Sequence, residues 1–304
     1  MGRYRGRFAP SPSGPLHFGS LVAAVGSYLD ARSAGGEWLL RIEDVDKQRT
    51  QTGAAEAIRR TLDAFAFEWD GEVVVQSRRA PLYREALTRL RALDAVYPCA
   101  CSRREIAARA PATAVDGGAV YPGTCRDGVT DGRPARAWRL RVPDREIGFD
   151  DRVQGEVRQN LARVVGDFVL LRADGPFAYQ LAVVVDDAAQ GINAVVRGVD
   201  LLDSTPRQIW LQRCLGLPTP SYAHLPVVTN DAGEKLSKQT RAAAVDPAAG
   251  SAALAAALRF LGHAVPSAVA AGSLADFWRW AIANWSMARV PARGGAVQGC
   301  PLPP

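Results

Sequence analysis

The sequence predicts an α/β protein built on a Rossmann-type parallel sheet, with an inserted α+β module in its middle and a short helical region at its end. Three observations point there. The chain opens with a strand, a turn, an Ala/Leu-rich helix and a second strand, the unit from which parallel sheets are assembled. Residues 97–180 then change character, with three clustered cysteines, several Gly/Pro/Asp turns and alternating stretches such as Ala137–Val142. Apolar runs of strand type return at Leu181–Val185 and Ile192–Val196, as expected where an interrupted sheet resumes.

Taken in order, residues 3–9 read as the first strand and Pro10–Gly14 as a Pro-Ser-Pro-Ser-Gly turn. Leu21–Ala34 reads as a helix closed by Gly35 and Gly36, and Trp38–Ile42 as a buried strand. Gly53–Phe65 and Pro81–Leu93 carry helical spacing. After the module and the two later strands, Ser204–Leu215 reads as a helix with Ser204 as cap and Pro206 in its first turn. Ala252–Leu261 and Leu274–Trp285 are expected helices, and the last eleven residues are expected to be disordered. The sheet domain is thus expected to be discontinuous, over 1–96 and 181–240, with 97–180 inserted and 241–304 appended.

Composition narrows the class. A chain of 304 residues with 48% hydrophobic and 22% charged residues has ample material for a core. No apolar run approaches the ~20 residues of a membrane span, and the N-terminus carries no apolar signal segment, so a cytoplasmic enzyme is expected. The net charge of +6 favours a polyanionic partner.

Charge is also distributed unevenly by type. Of 37 basic residues only Lys47, Lys235 and Lys238 are lysines, and two of those fall in the tetrapeptide Lys235-Leu236-Ser237-Lys238. It follows Thr229–Gly233, a run of turn formers that reads as a mobile loop. Two ammonium groups there suit a triphosphate whose departing pyrophosphate must be neutralised. At the other end, His17-Phe18-Gly19-Ser20 sits where the first turn meets the first helix, at the sheet edge where nucleotides bind. Gly14 and Gly19 allow close backbone approach, and His17 can donate to phosphate oxygens.

These two tetrapeptides resemble the paired signatures of the class I aminoacyl-tRNA synthetases. Arg7–Gly14, Leu40-Arg41-Ile42-Glu43-Asp44-Val45-Asp46, Val184–Asp187, Val196-Arg197-Gly198 and Ser204-Thr205-Pro206 make the resemblance specific to the glutamyl branch, over most of residues 4–240. Ser20 stands where the first signature has a second histidine, Leu236 replaces Met, and Gln239 replaces a final Ser. The 66 residues after Lys238 are too few for the anticodon-binding domains of a glutamyl-tRNA synthetase, so none is expected and 241–304 reads as a stem-contact-like remnant. In this the chain is similar to the glutamyl-queuosine tRNA(Asp) synthetase family.

The resemblance implies activation of L-glutamate by ATP with Mg²⁺ and transfer to the queuosine nucleoside of tRNA(Asp). It implies that Arg7, Phe8, Ala9, Pro10, Ser11, Glu43, Tyr179 and Arg197 hold glutamate, with Arg197 on the side-chain carboxylate and Glu43 on the α-ammonium. The bidentate forks of Arg7 and Arg197 suit planar carboxylates. It assigns ATP to His17, Gly19, Ser20 and Lys238, and catalysis to His17, Lys235 and Lys238. A truncated glutamyl-tRNA synthetase charging the tRNA 3′ end is the alternative, with a small-molecule nucleotidyltransferase behind it.

The inserted module is expected to be zinc-containing. Cys99, Cys101 and Cys125 offer three thiolates and Zn²⁺ takes four ligands. From the residues alone the fourth is Tyr121, an acid such as Asp116 or Asp127, or water; the family pattern implies Tyr121 and a structural role. Cys214 is expected to be a buried thiol, and Cys300 to be free.

Overall fold

The computed structural model of the chain describes residues 2–129, 132–229 and 243–292. Lys235, Lys238 and Gln239, Cys300 and the terminal residues expected to be disordered lie outside the described residues.

β1 (Arg5–Phe8) leads through the Pro/Ser/Gly turn into α1 (Phe18–Ser33), and β2 (Glu37–Ile42) returns parallel to β1 with Arg7 opposite Leu39. Gly14 in that turn has φ 140°, which an L side chain would resist. α1 is buried without interruption from Ala24 to Ala31, because it is rich in Ala, Val and Leu and is covered on several sides. Trp38 of β2 is fully buried beneath it, donating from Nε1 to Ser27 Oγ (3.0 Å) and stacking on Phe67. α2 (Ala54–Ala64) and the short β3 (Val74–Val75) extend this half, β3 pairing parallel to β2. α3 (Ala80–Ala92), with Pro81 in its first turn, leads to β4 (Val96–Cys99).

The module opens with α4 (Arg103–Arg109), closed at its N-terminus by a Ser102/Glu105 capping box. β5 (Ala137–Leu140), β6 (Glu146–Asp151), β7 (Gly155–Asn160), the single turn α5 (Leu161–Val164) and β8 (Phe168–Leu171) follow. β4, β5 and β8 form an antiparallel sheet in that order. The β6–β7 hairpin instead joins the main sheet.

α6 (Tyr179–Ala189) corrects the strand expected at Leu181–Val185. The β-branched triplet Val183-Val184-Val185 gives the segment strand propensity, but packing against α3 and α7 (Thr205–Leu215) makes it a helix, so tertiary context outweighs propensity. The sheet resumes at β9 (Ala194–Gly198), and β10 (Ser221–Leu225) pairs parallel to it. β6 pairs parallel to the other side of β10, with Asp151 opposite Tyr222. β9 runs beside β1, linked by Asn193 N–H donating to the Arg5 carbonyl (3.1 Å), so the two ladders continue one another. Ser204 stands before α7 without a side-chain cap bond; instead it receives hydrogen bonds from Gln180 and Arg207.

α8 (Gly250–Phe260), the turn α9 (Ser267–Ala270) and α10 (Leu274–Asn284) follow, α8 and α10 lying against α1. Trp278 of α10 closes an aromatic cluster with Tyr28 and Phe67. The first core surrounds α1; a second joins α3, α6 and α7 to Leu140, Ile147 and Phe168 of the module, so the inserted residues share a core with the sheet. Cys214 is half-buried rather than enclosed, and its surroundings push the thiol up to about 11.

Candidate active site

Two cavities open at the carboxyl ends of β1, β2, β9 and β10, where backbone amides and strand-end side chains converge. The larger, about 670 Å³, is lined by Pro10, His17, Gly19 and Ser20, and by Val227 and Val228 beyond β10. The smaller, about 400 Å³, is lined by Arg7, Ala9, Glu43, Tyr179 and Arg197. Phe8, Ser11, Ala23, Arg49, Gly198 and Asp200 belong to both walls, so the cavities adjoin.

His17 caps α1. Its Nδ1 accepts the Ser20 amide N–H (3.2 Å), which leaves Nε2 as the protonated nitrogen of a neutral ring, 3.1 Å from Ser20 Oγ. Ser20 therefore fixes the ring from both sides. The lysines of the second signature are outside the described residues, but their flanks are not. Val227 and Val228 line the larger cavity, Ala244 forms a β-bridge with His17, and Val245 N–H donates to the Leu16 carbonyl (2.8 Å). The described residues on either side of the second signature, Val228 before it and Ala244 after it, thus lie beside the first signature.

The smaller cavity is walled by buried charge. Arg41 lies between Asp187 (2.7 Å) and Glu43 (3.2 Å), and Arg7 donates from Nε to Asp187 (3.1 Å). The Arg7 fork is therefore engaged by Asp187, and only its Nη1 edge, 3.5 Å from the Val196 carbonyl, differs in direction. Burial pushes the Glu43 carboxyl above its ordinary value, more than Arg41 and Arg7 pull it down. For Asp187 burial also raises, but its two guanidinium partners win and hold it below the ordinary value. Arg197 Nη1 reaches the Tyr179 hydroxyl (3.4 Å) and Nη2 donates to Thr205 Oγ1 (2.7 Å). Burial raises the Tyr179 phenol, keeping it a neutral donor.

Every glutamate-site residue named from the sequence within the described range lines one of these cavities. Sequence reasoning did not give Arg41, Asp187, His224 or Asp151 their roles around the pocket. For Arg41 and Asp187 the signal was present, since both lie inside the quoted Arg-Ile-Glu-Asp and Val-Val-Asp-Asp stretches. His224 is one of three histidines, a scarcity like that of lysine. Asp151 carries no local signal.

Away from the cavities, Cys99, Cys101 and Cys125 place their sulfur atoms within 4.8 Å of one another. Cys101 and Cys125 sulfurs are 3.5 Å apart, and the Tyr121 hydroxyl is 3.4 Å from Cys99 Sγ and 3.8 Å from Cys101 Sγ. Tetrahedral zinc with bonds of about 2.3 Å needs ligand separations of about 3.8 Å, so this donor set fits the ion. Burial pushes the Cys99 thiol up, but hydrogen bonds from Tyr121 and from Arg139 Nε (3.3 Å) carry it below its ordinary value. Burial and the neighbouring Cys125 take Cys101 up to about 11. Asp116 pairs instead with Arg207 (2.7 Å).

Fold and site define a class I aminoacyl-tRNA synthetase core. Residues 3–253 match the family described as tRNA synthetases class I (E and Q), catalytic domain. The chain is 66% identical to the glutamyl-Q tRNA(Asp) synthetase of Dechloromonas aromatica, covering 95% of this chain and 96% of that one. It is 62% identical to the protein of the same name from Chromobacterium violaceum, over 95% and 96%. The chain belongs to the glutamyl-Q tRNA(Asp) synthetase family. Among solved structures it superposes on a glutamate-tRNA synthetase from Elizabethkingia anophelis with a TM-score of 0.80 at 25% identity, covering 98% of this chain and 68% of that one.

Proposed function

We propose that this chain condenses L-glutamate with ATP to glutamyl-adenylate and transfers the glutamyl group to the queuosine nucleoside at the wobble position of tRNA(Asp). The observation that carries the reading is the shared wall between a cavity headed by a helix N-terminus and a cavity lined by buried Arg and Glu. Adjoining cavities of this kind would let an anionic phosphate lie beside an amino-acid carboxylate, as adenylation requires. A glutamate α-carboxylate oxygen attacks the ATP α-phosphorus, the new P–O bond forms, and the bond to pyrophosphate breaks in line. No side-chain nucleophile is needed; positioning and charge neutralisation supply the rate.

In this reading Glu43 takes the α-ammonium, and Arg197 with Tyr179 takes the side-chain carboxylate. The Arg7 Nη1 edge faces the α-carboxylate, while its other edge stays on Asp187. His17 and Lys238 stabilise the charge on the transferring α-phosphoryl group, and Lys235 assists the leaving pyrophosphate. Mg²⁺ arrives with ATP and screens its phosphates. Cys99, Cys101, Tyr121 and Cys125 would hold a zinc ion in a structural role, which would tie the start of the module to its following loop. The module itself, residues 97–180, supplies the acceptor-binding surface, and the site of action is the cytoplasm.

Labelled glutamate offered with ATP and tRNA(Asp) tests the whole reading. Label should enter queuosine-containing tRNA(Asp) and not the queuosine-lacking form. Equal labelling of both, or labelling at the 3′ terminal adenosine, would refute the acceptor. Pyrophosphate exchange should proceed without any tRNA.

A further inference from the structure

Arg197 is held from behind by groups that leave little of its guanidinium free. Nε donates to His224 Nε2 (3.1 Å), and Nη2 donates to Thr205 Oγ1 (2.7 Å) and the Leu201 carbonyl (3.4 Å). Only Nη1 is turned to Tyr179 and the cavity. A guanidinium has five N–H donors and no acceptor, so whatever fixes it must present lone pairs. His224 presents one at Nε2 only when its proton sits on Nδ1.

Asp151 enforces that arrangement. Its Oδ2 is 2.6 Å from His224 Nδ1, and both side chains are fully enclosed. Its Oδ1 accepts the backbone N–H groups of Val153 (3.0 Å), Gln154 (2.9 Å) and His224 (3.1 Å), so the carboxylate cannot swing away. The line runs from the β6–β7 turn, across β10, to the strand end that carries Arg197.

We propose that His224, held by Asp151, is a positioning residue that aims Arg197 at the substrate's side-chain carboxylate and sets the preference for glutamate over glutamine. The proposal rests on the reading of Arg197 as the holder of that carboxylate. A guanidinium free to rotate can meet a carboxamide through its oxygen. One fixed with Nη1 and the Tyr179 hydroxyl facing the same point confronts the amide NH₂ with donors and leaves it unpaired.

Two isosteric halves of the imidazole separate the roles. In His224→Gln the amide oxygen reaches the position of Nε2 and can accept from Arg197. In His224→Asn the amide nitrogen reaches the position of Nδ1 and can donate to Asp151, but nothing accepts from Arg197 Nε. In glutamate-dependent ATP–pyrophosphate exchange, His224→Asn should raise the glutamate KM by about 10-fold or more, with kcat and the ATP KM within about 2-fold. Its glutamate-over-glutamine ratio should fall, and His224→Gln should recover most of both. Equal glutamate KM values for the two variants, or a loss falling in kcat or the ATP KM, would overturn the proposal. Arg197→Ala run alongside distinguishes the two levels. An unchanged glutamate KM there sinks the reading of Arg197 itself; a raised one with normal His224→Asn sinks only the positioning role. On the unaltered protein, the ¹⁵N imidazole spectrum should show His224 as the Nδ1–H tautomer. An Nε2–H tautomer would exclude an acceptor facing Arg197.

Discussion

Glu43 is the side chain whose protonation most directly couples to the proposed substrate. It must be ionised to hold an ammonium, yet burial raises its pKa and the Arg41 and Arg7 charges only partly offset this. A raised pKa means that, as pH falls, the carboxylate is lost before an exposed glutamate would be. Glutamate kcat/KM in pyrophosphate exchange should therefore decline on the acid side at a higher pH than an ordinary carboxylate allows. Glu43→Gln should lower kcat/KM by about 10- to 100-fold and abolish that acid limb. Retention of the limb in the variant would assign it to another group. The motif Arg41-Ile42-Glu43 made this residue legible from the sequence. The buried Arg7–Asp187–Arg41 framework that tunes it was not, since it joins strands to a helix some 180 residues away.

At the scale of elements, α6 is where sequence and structure part company. A continuous apolar run and β-branching favour a strand over Leu181–Val185, but only the helical period puts Tyr179 and Asp187, two turns apart, toward the same pocket. The same helix turns Asp186 the other way. There its fully buried carboxylate accepts from Arg79 Nε (2.5 Å), the Tyr83 hydroxyl (2.7 Å) and Gln76 Nε2 (2.8 Å). One Asp–Asp pair therefore ties α6 both to the pocket framework and to α3. Removing one partner of such a set strands the others, so Asp186→Ala should cost about 3 kcal/mol of stability, read by urea denaturation at neutral pH. Arg79 is partly exposed and can rehydrate, which is why the expectation stays at the low end of the range for broken buried pairs. A change below about 0.5 kcal/mol, the usual effect of a surface substitution, would show that α6 is held by its apolar face alone.

For the whole molecule, the question is how the module relates to the sheet. The composition shift at residue 97 marked it, and the cysteine spacing pointed to a metal. The parallel pairing of β6 with β10 could not be read, because Asp151 and His224 meet across 73 residues with no local pattern at Asp151. The consequence is a division of labour inside one insertion. The β6–β7 hairpin belongs to the sheet and supports Arg197, whereas Cys99, Cys101, Tyr121 and Cys125 form a small cluster of their own that lines neither cavity. If that cluster holds structural zinc, purified protein should contain close to one zinc per chain, and Cys125→Ser should lose it. Thermal unfolding of the zinc-free protein should begin at a lower temperature, while tRNA-independent pyrophosphate exchange at permissive temperature stays within about 3-fold, well short of the 100-fold loss expected for a catalytic ligand. Loss of exchange together with zinc, from protein still folded by circular dichroism, would mean that the cysteine cluster supports the catalytic cavities after all.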